Sequence, residues 1–94
     1  MNDAAEGCRI DVWLWRARFF RTRSLAAGFV GEGRIRLFRG EVETRLDKPS
    51  RTVRPGDGLV FALGGRLVSV RVADCGERRG SAAEAHALYG PLED

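Results

Sequence analysis

Five arginines (Arg9, Arg16, Arg18, Arg21 and Arg23) and four large aromatics (Trp13, Trp15, Phe19 and Phe20) share the stretch from Arg9 to Ser24 with a single acid, Asp11. A solvated charged face mixes signs, so this stretch has chemistry to offer. The planar guanidinium donates two parallel hydrogen bonds to phosphate oxygens and stacks on bases or aromatic rings. Polyanion binding is therefore the first expectation, with nucleic acid as the leading polyanion. Thr22 and Ser24 place hydroxyl donors among the arginines, and Arg34 and Arg36 extend the same residue type a short way along the chain. Lys48, Arg78 and Arg79 are secondary candidates, the last two because they precede a predicted helix N-terminus, where free amides favour anions.

Other chemistries find little support. Cys8 and Cys75 lie far apart and form no C-x-x-C, so neither a zinc site nor a redox motif is signalled, and they read as buried or incidental thiols. His86 is the one histidine. Ser81, His86 and Asp94 fall within one short terminal segment, which cannot supply the opposed geometry of a catalytic triad. Asp11 in a first helical turn favours the helix dipole and can orient a neighbouring arginine, a structural role rather than a catalytic one. No catalytic residue, metal, cofactor or small-molecule substrate is expected.

The chain has 94 residues, 16 basic and 13 acidic, for a net charge of +3. A domain of that size buries only roughly 60 to 65% of the surface its unfolded chain exposes, leaving no room for a large cleft. The charge is uneven. Residues 9–54 hold twelve basic against five acidic side chains, a balance of +7, while residues 1–8 and 55–94 each come to −2. Such asymmetry is a usual footprint of a polyanion surface, and a membrane surface or an acidic protein would answer to it as well. The longest apolar run, Leu59 to Leu63, is far short of a membrane span, and the polar, acidic N-terminus resembles no targeting signal. A cytoplasmic protein without a membrane partner is expected.

The elements that must position these residues follow from periodicity. Ile10, Trp13, Leu14 and Ala17 carry the i, i+3, i+4, i+7 spacing of a buried helical stripe and predict a helix from about Arg9 to Phe19, with Trp13 in the core. Trp15 lies off that stripe, so packing and an RNA- or partner-facing role both remain open for it. Phe19 and Phe20 read as packing under a basic turn, Phe20 to Arg23. Thr22 or Ser24 caps a second helix with Leu25, Ala26, Phe29 and Val30 on its apolar face, stopped by Gly31 and Gly33. Arg34–Phe38 alternates as a half-buried strand with Ile35 and Leu37 inward. Residues 39–57 read as turns joining short edge strands. Gly64-Gly65 between two β-rich runs predicts a tight hairpin, with Val68, Val70 and Val72 on one face. Ser81 to Glu84 has capping-box spacing and opens a short helix in which Ala85, Leu88 and Tyr89 pack inward.

Arg9-Ile10-Asp11, Leu14, Arg21-Thr22-Arg23-Ser24, Ala26 and Gly33-Arg34-Ile35 together resemble the signature of the S4 domain, an RNA-binding module. Over residues 9–89 the chain is similar, more narrowly, to the small ribosome-associated heat-shock proteins of bacteria. That similarity rests on Arg9 to Trp15, Ala17 to Ala26, Lys48-Pro49-Ser50, Pro55-Gly56-Asp57, and Arg78-Arg79 followed by Ala83-Glu84-Ala85 with Leu88-Tyr89. The resemblance implies an α+β, S4-type (alpha-L) fold: two N-terminal helices packed on a small, mostly antiparallel sheet, with a short C-terminal helix. It divides the chain into a flexible N-terminus (1–8), an S4-like RNA-binding domain (9–89) and a short tail (90–94). Two departures stand out. Arg39-Gly40 occupies the place of the family's Asn-Gly turn, and the sequence ends on Pro91-Leu92-Glu93-Asp94 where longer members continue into a basic extension, from which weaker or altered binding is expected.

The implied function is non-enzymatic binding of structured RNA, above all ribosomal RNA of the large subunit, in a stress or ribosome-recycling role. Arg9, Arg16, Arg18, Arg21, Arg23, Arg34 and Arg36 would supply charge, and Thr22 and Ser24 would donate to phosphate. A-form RNA hides its base edges in a deep, narrow groove, so a rigid helical surface reads phosphates and 2′-hydroxyls more than sequence. A protein-interaction module for an acidic partner and a DNA-binding protein are the alternatives.

Overall fold

A computed structural model describes residues 7–92. In chain order the elements are β1 (Cys8–Arg9), α1 (Ile10–Arg16), α2 (Arg23–Gly31), β2 (Ile35–Arg39), β3 (Val42–Leu46), β4 (Thr52–Val53), β5 (Gly58–Leu63), β6 (Arg66–Val72), α3 (Ala82–His86) and β7 (Tyr89–Pro91). Five strands form one sheet in the order β3-β2-β5-β6-β7, every neighbour antiparallel, and β1 with β4 makes a separate two-stranded ribbon.

The stripe at Ile10, Trp13, Leu14 and Ala17 is buried as its spacing requires, and it joins Ala26, Phe29 and Val30 of α2 and Ile35, Leu37, Leu46, Leu59, Phe61, Val70 and Val72 of the sheet in one core. Helix α1 nevertheless ends at Arg16, short of the expected Phe19. Arg18 takes φ +67°, its amide bonds the Trp15 carbonyl at 3.1 Å, and the Phe19 amide reaches back to the Leu14 carbonyl at 3.0 Å. These paired bonds are the Schellman stop, a position where glycine is usual and arginine is not. The connection to α2 is correspondingly longer than expected.

Thr22, not Ser24, caps α2: its hydroxyl accepts from the Leu25 amide at 3.1 Å. Leu25 was expected on the apolar face, but it is 57% exposed. It lies in the first turn, beside the cationic connection, while Ala26, Phe29 and Val30 make the contact with the core. The two hairpins use different glycine turns. Gly64 and Gly65 both have positive φ, the type I′ pattern, and Gly40 alone does so in the Gly40-Glu41 turn, the type II′ pattern. The turn thus falls one residue later than Arg39-Gly40, and Arg39 stays in strand β2.

Pro55 and Gly56 (φ +99°) sit at the centre of a type II turn closed by the Asp57 amide on the Arg54 carbonyl at 3.0 Å. Asp57 is buried there. Its carboxylate accepts from Arg39 Nε at 2.9 Å, Arg39 Nη2 at 2.7 Å and the Arg54 amide at 2.9 Å.

Ser81 caps α3 by accepting from the Glu84 amide at 3.2 Å. The helix stops at His86, so Leu88 and Tyr89 lie beyond it. Leu88 is buried in the following turn, and Tyr89 begins β7, opposite Val72 of β6. Strand pairing therefore carries the ordered fold outward past 9–89, to Cys8 opposite Val53 at one end and Pro91 opposite Val70 at the other. Residues 1–6 of the expected flexible N-terminus and residues 93–94 of the expected tail lie outside the described residues.

Candidate nucleic-acid interface

The connection from α1 and the first turn of α2 together hold Arg18, Arg21, Thr22, Arg23 and Ser24, all exposed. Arg18, left exposed by the Schellman stop, donates one guanidinium nitrogen to the Gly80 carbonyl at 2.7 Å. Arg21 and Arg23 have no ion-pair partner among the described residues. At the N-terminus of α2 the Thr22 side chain takes the Leu25 amide and the Thr22 carbonyl takes the Ala26 amide, leaving the amides of the exposed residues Arg23 and Ser24 without a partner among the described residues. Free amides, hydroxyls and guanidinium groups thus converge at one helix end, the composition of an anion site. Arg18 also rims a hollow of about 260 Å³ whose wall includes Phe19, His86 and Tyr89.

The other end of the pair is built differently. The Ile10 and Asp11 amides at the start of α1 donate to the carbonyls of Arg51 and Pro49 at 2.8 and 3.3 Å, and the Val12 amide donates to the Asp11 carboxylate at 2.8 Å. That carboxylate also receives Arg9 in a fork, Nε at 3.0 Å and Nη2 at 2.9 Å, as the sequence reading of Asp11 expected. Hydrogen bonding with Asp11, reinforced by its charge, raises the Arg9 pKa above the ordinary guanidinium value.

The remaining candidates divide by what already holds them. Arg16 is half-buried, and its Nη1 donates to the carbonyls of Cys75 at 3.3 Å and Gly76 at 2.8 Å, which makes it a brace for the loop after β6. Arg34 pairs with Glu32 at 2.9 Å and lies over the Phe29 ring, 4.9 Å from its centroid. Arg36 pairs with Glu43 across the β2–β3 hairpin. Arg78 pairs with Glu84 at 3.1 Å, and Arg79 Nε donates to the Trp15 carbonyl at 3.2 Å. Lys48 is exposed and has no ion-pair partner among the described residues.

Arg51 and Arg54, which the motif reading passed over, are likewise exposed and outside every ion pair among the described residues. With Lys48 they form a second cationic strip beside the start of α1. The signal was present in the sequence as three basic residues within Lys48–Arg54, masked by the turn residues between them.

The aromatics mostly pack. Trp13 is fully buried with its Nε1 donating to the Asp74 carbonyl at 2.9 Å, and Phe19 lies among Trp13, Phe61 and Tyr89 with centroids 6.0, 5.6 and 4.9 Å away. Phe20 stacks obliquely on Phe29 at 5.1 Å. Trp15 is half-buried. Among the described residues no group of three or more His, Cys, Asp or Glu side chains could hold a metal ion, and no helix is long and apolar enough to cross a membrane.

No family model matches the chain. It is 30% identical over 90 residues to the heat shock protein 15 homolog of Haemophilus influenzae, covering 96% of this chain and 65% of that protein. With heat shock protein 15 of Escherichia coli K12 it shares 36% identity over 81 residues, 86% of this chain and 57% of that one. The chain thus spans less than two thirds of the length of these curated relatives. It also superposes with a TM-score of 0.78 on the trimeric structure of Vibrio cholerae heat shock protein 15, 32% identical, covering 93% of this chain and 83% of that one. The α+β, S4-like architecture is common to both, and the chain belongs to the heat shock protein 15 family.

Proposed function

We propose that this chain binds structured RNA without catalysing a reaction, with ribosomal RNA of the large subunit as its target, and that it does so in the cytoplasm under stress or during ribosome recycling. The observation that carries the reading is the open N-terminus of α2, where the exposed Arg21 and Arg23 side chains lack acid partners among the described residues and stand beside amides that none of those residues bonds. A phosphate at that end meets donors already fixed by the fold. Arg18, Thr22 and Ser24 complete the contact, and the Lys48, Arg51 and Arg54 strip takes a neighbouring stretch of backbone. Arg9, Arg34, Arg36 and Arg78 would join by exchanging a carboxylate for a phosphate, and Arg16 and Arg79 act by bracing α1. The hollow beside Arg18, walled by Phe19, His86 and Tyr89, suits an unstacked base at a loop or junction. These contacts read backbone and shape, so discrimination rests on the three-dimensional form of the RNA.

Density-gradient sedimentation of the chain with bacterial ribosomes at moderate salt tests the assignment. Co-sedimentation with free large subunits is expected, with depletion from small subunits and whole translating ribosomes. Recovery only at the top of the gradient, with short structured RNA still bound, would leave an RNA-binding domain with another target. Loss of both, with capture by an acidic protein instead, would favour the interaction-module reading.

A further inference from the structure

The two cysteines, distant in sequence, meet in the fold. Strand β1 sets Cys8 opposite Val53 of β4, and the Cys75 sulfur lies 3.9 Å from the Val53 carbonyl oxygen. Both cysteines thus lie against Val53, near enough for Cys75 to act on the Cys8 thiol, and both are free and partly buried.

The fold holds each side of this contact independently. On one side, Gly7 lies so close to β4 that any side chain there would collide with Thr52 and the Val53 carbonyl, which fixes the approach of β1. On the other, Trp13 Nε1 bonds the Asp74 carbonyl at 2.9 Å, Arg16 bonds the Cys75 and Gly76 carbonyls, and the Gly76 amide bonds the Asp74 carboxylate at 3.0 Å. The backbone on both sides is therefore clamped with both cysteines against Val53. Two thiols alone do not make a structural zinc site, which takes four ligands, and no third metal-ligating side chain gathers with them among the described residues. Burial first, then the neighbouring Cys75, raises the Cys8 pKa and holds that residue as the thiol.

We propose that Cys8 and Cys75 are a reversible dithiol–disulfide pair that closes on exposure to peroxide and staples the β1–β4 ribbon to the loop bracing α1. In the first step one cysteine gives up its proton and the thiolate attacks hydrogen peroxide, breaking the O–O bond; a sulfenic acid forms, and the departing hydroxide takes the proton as one water. The second sulfur then attacks the sulfenic sulfur, forming the S–S bond and releasing a second water. The two thiols lose two hydrogens and the peroxide is reduced; an external dithiol reverses the exchange. A bridge within an intracellular protein is ordinarily a transient, redox-responsive one. Because it would close most of the chain into a single loop, it restricts the unfolded ensemble strongly, and the oxidised chain should melt at a higher temperature.

The test oxidises the purified chain at low concentration with hydrogen peroxide and, separately, with diamide, which bypasses slow peroxide chemistry. Expected are an intact mass lower by two hydrogens, a non-reducing peptide map joining the Cys8 and Cys75 peptides, a raised melting temperature, and return to the starting state with dithiothreitol. Cys8→Ser and Cys75→Ser should each abolish the linked peptide and the melting shift. Thiols that remain fully alkylatable after both oxidants would overturn the proposal. So would disulfide-linked dimers, or oxygen added without a linked peptide.

Discussion

The N-termini of α1 and α2 begin from similar sequence, each entered through a basic residue next to a hydroxyl or carboxylate, and finish as opposites. At α1 the first three amides are taken by the Arg51 and Pro49 carbonyls and the Asp11 carboxylate, and Arg9 is held in a fork. At α2 the threonine side chain and carbonyl satisfy only the Leu25 and Ala26 amides, and the neighbouring arginines have no acid partner among the described residues. A helix end attracts anions only while its donors are unsatisfied. The count of arginines therefore misleads, and the difference lies in which groups the fold has already satisfied.

The largest effect expected from this contrast is in salt. With roughly four to six phosphates engaged, log affinity should fall with log salt at a slope on the order of −3 to −5, so that raising salt from about 50 to about 200 mM weakens binding on the order of 100-fold. Fluorescence anisotropy with structured ribosomal RNA fragments measures it. Substitution at the α2 end should make the slope shallower, whereas a flat line in the unaltered chain would remove the RNA reading.

Next in size is charge reversal at the open end. Arg21→Glu or Arg23→Glu should weaken binding by more than about tenfold, because charged hydrogen bonds contribute about 1.5 to 3 kcal/mol each, while shifting stability by less than about 0.5 kcal/mol as exposed substitutions do. Arg66→Glu, in the distant hairpin, is the control. Were it the more damaging of the two, the docking face would lie on the sheet.

The closed end should respond in the opposite currency. Asp11→Ala leaves the Val12 amide without its acceptor and is expected to lower stability by about 2 kcal/mol, read by chemical denaturation. The affinity of the folded chain for RNA should not fall, because the change releases Arg9 from its carboxylate. A large affinity gain in a fully folded variant would mean that the freed α1 end receives phosphate as a main contact; a large loss would mean that Asp11 positions Arg9 for the RNA.

The smallest effect is also the most discriminating, because its two readouts move in opposite directions. Arg18 sits in the left-handed region at +67°, where a non-glycine residue costs roughly 1 to 2 kcal/mol. Arg18→Gly should raise the melting temperature while weakening RNA binding several-fold. A lower melting temperature would show instead that the bond from Arg18 to the Gly80 carbonyl outweighs the strain.

What could be read from the sequence was what is local. The stripe of α1, the Thr22 and Ser81 caps, the Gly64-Gly65 hairpin and the alternation of β2 each rest on neighbours a few residues apart, and each formed. Strands of two or three residues such as β1 and β7 have no period to detect. The Arg39–Asp57 fork, the Arg16 brace and the Cys8–Cys75 contact join residues whose separation in sequence carries no trace of their meeting in space. The early stop of α1 was hidden for another reason: a Schellman turn announces itself by glycine, and here the left-handed residue is an arginine. The arginine-rich α1–α2 region was legible as residue type, but which of its members the chain had already engaged was not.

The closed start of α1 also bears on how the molecule comes into being. A seven-residue helix is far below the length that persists alone in water, and its first amides wait for carbonyls at residues 49 and 51 while its indole waits for residue 74. A ribosome delivers the chain from the other direction, N-terminus first. A helix synthesised before its partners is therefore secured late, and the cationic turn that follows it acquires its final shape only once residue 74 has emerged. Pulsed hydrogen exchange during refolding should find the Trp13 indole and the Ile10 amide protected together with β6, not ahead of it.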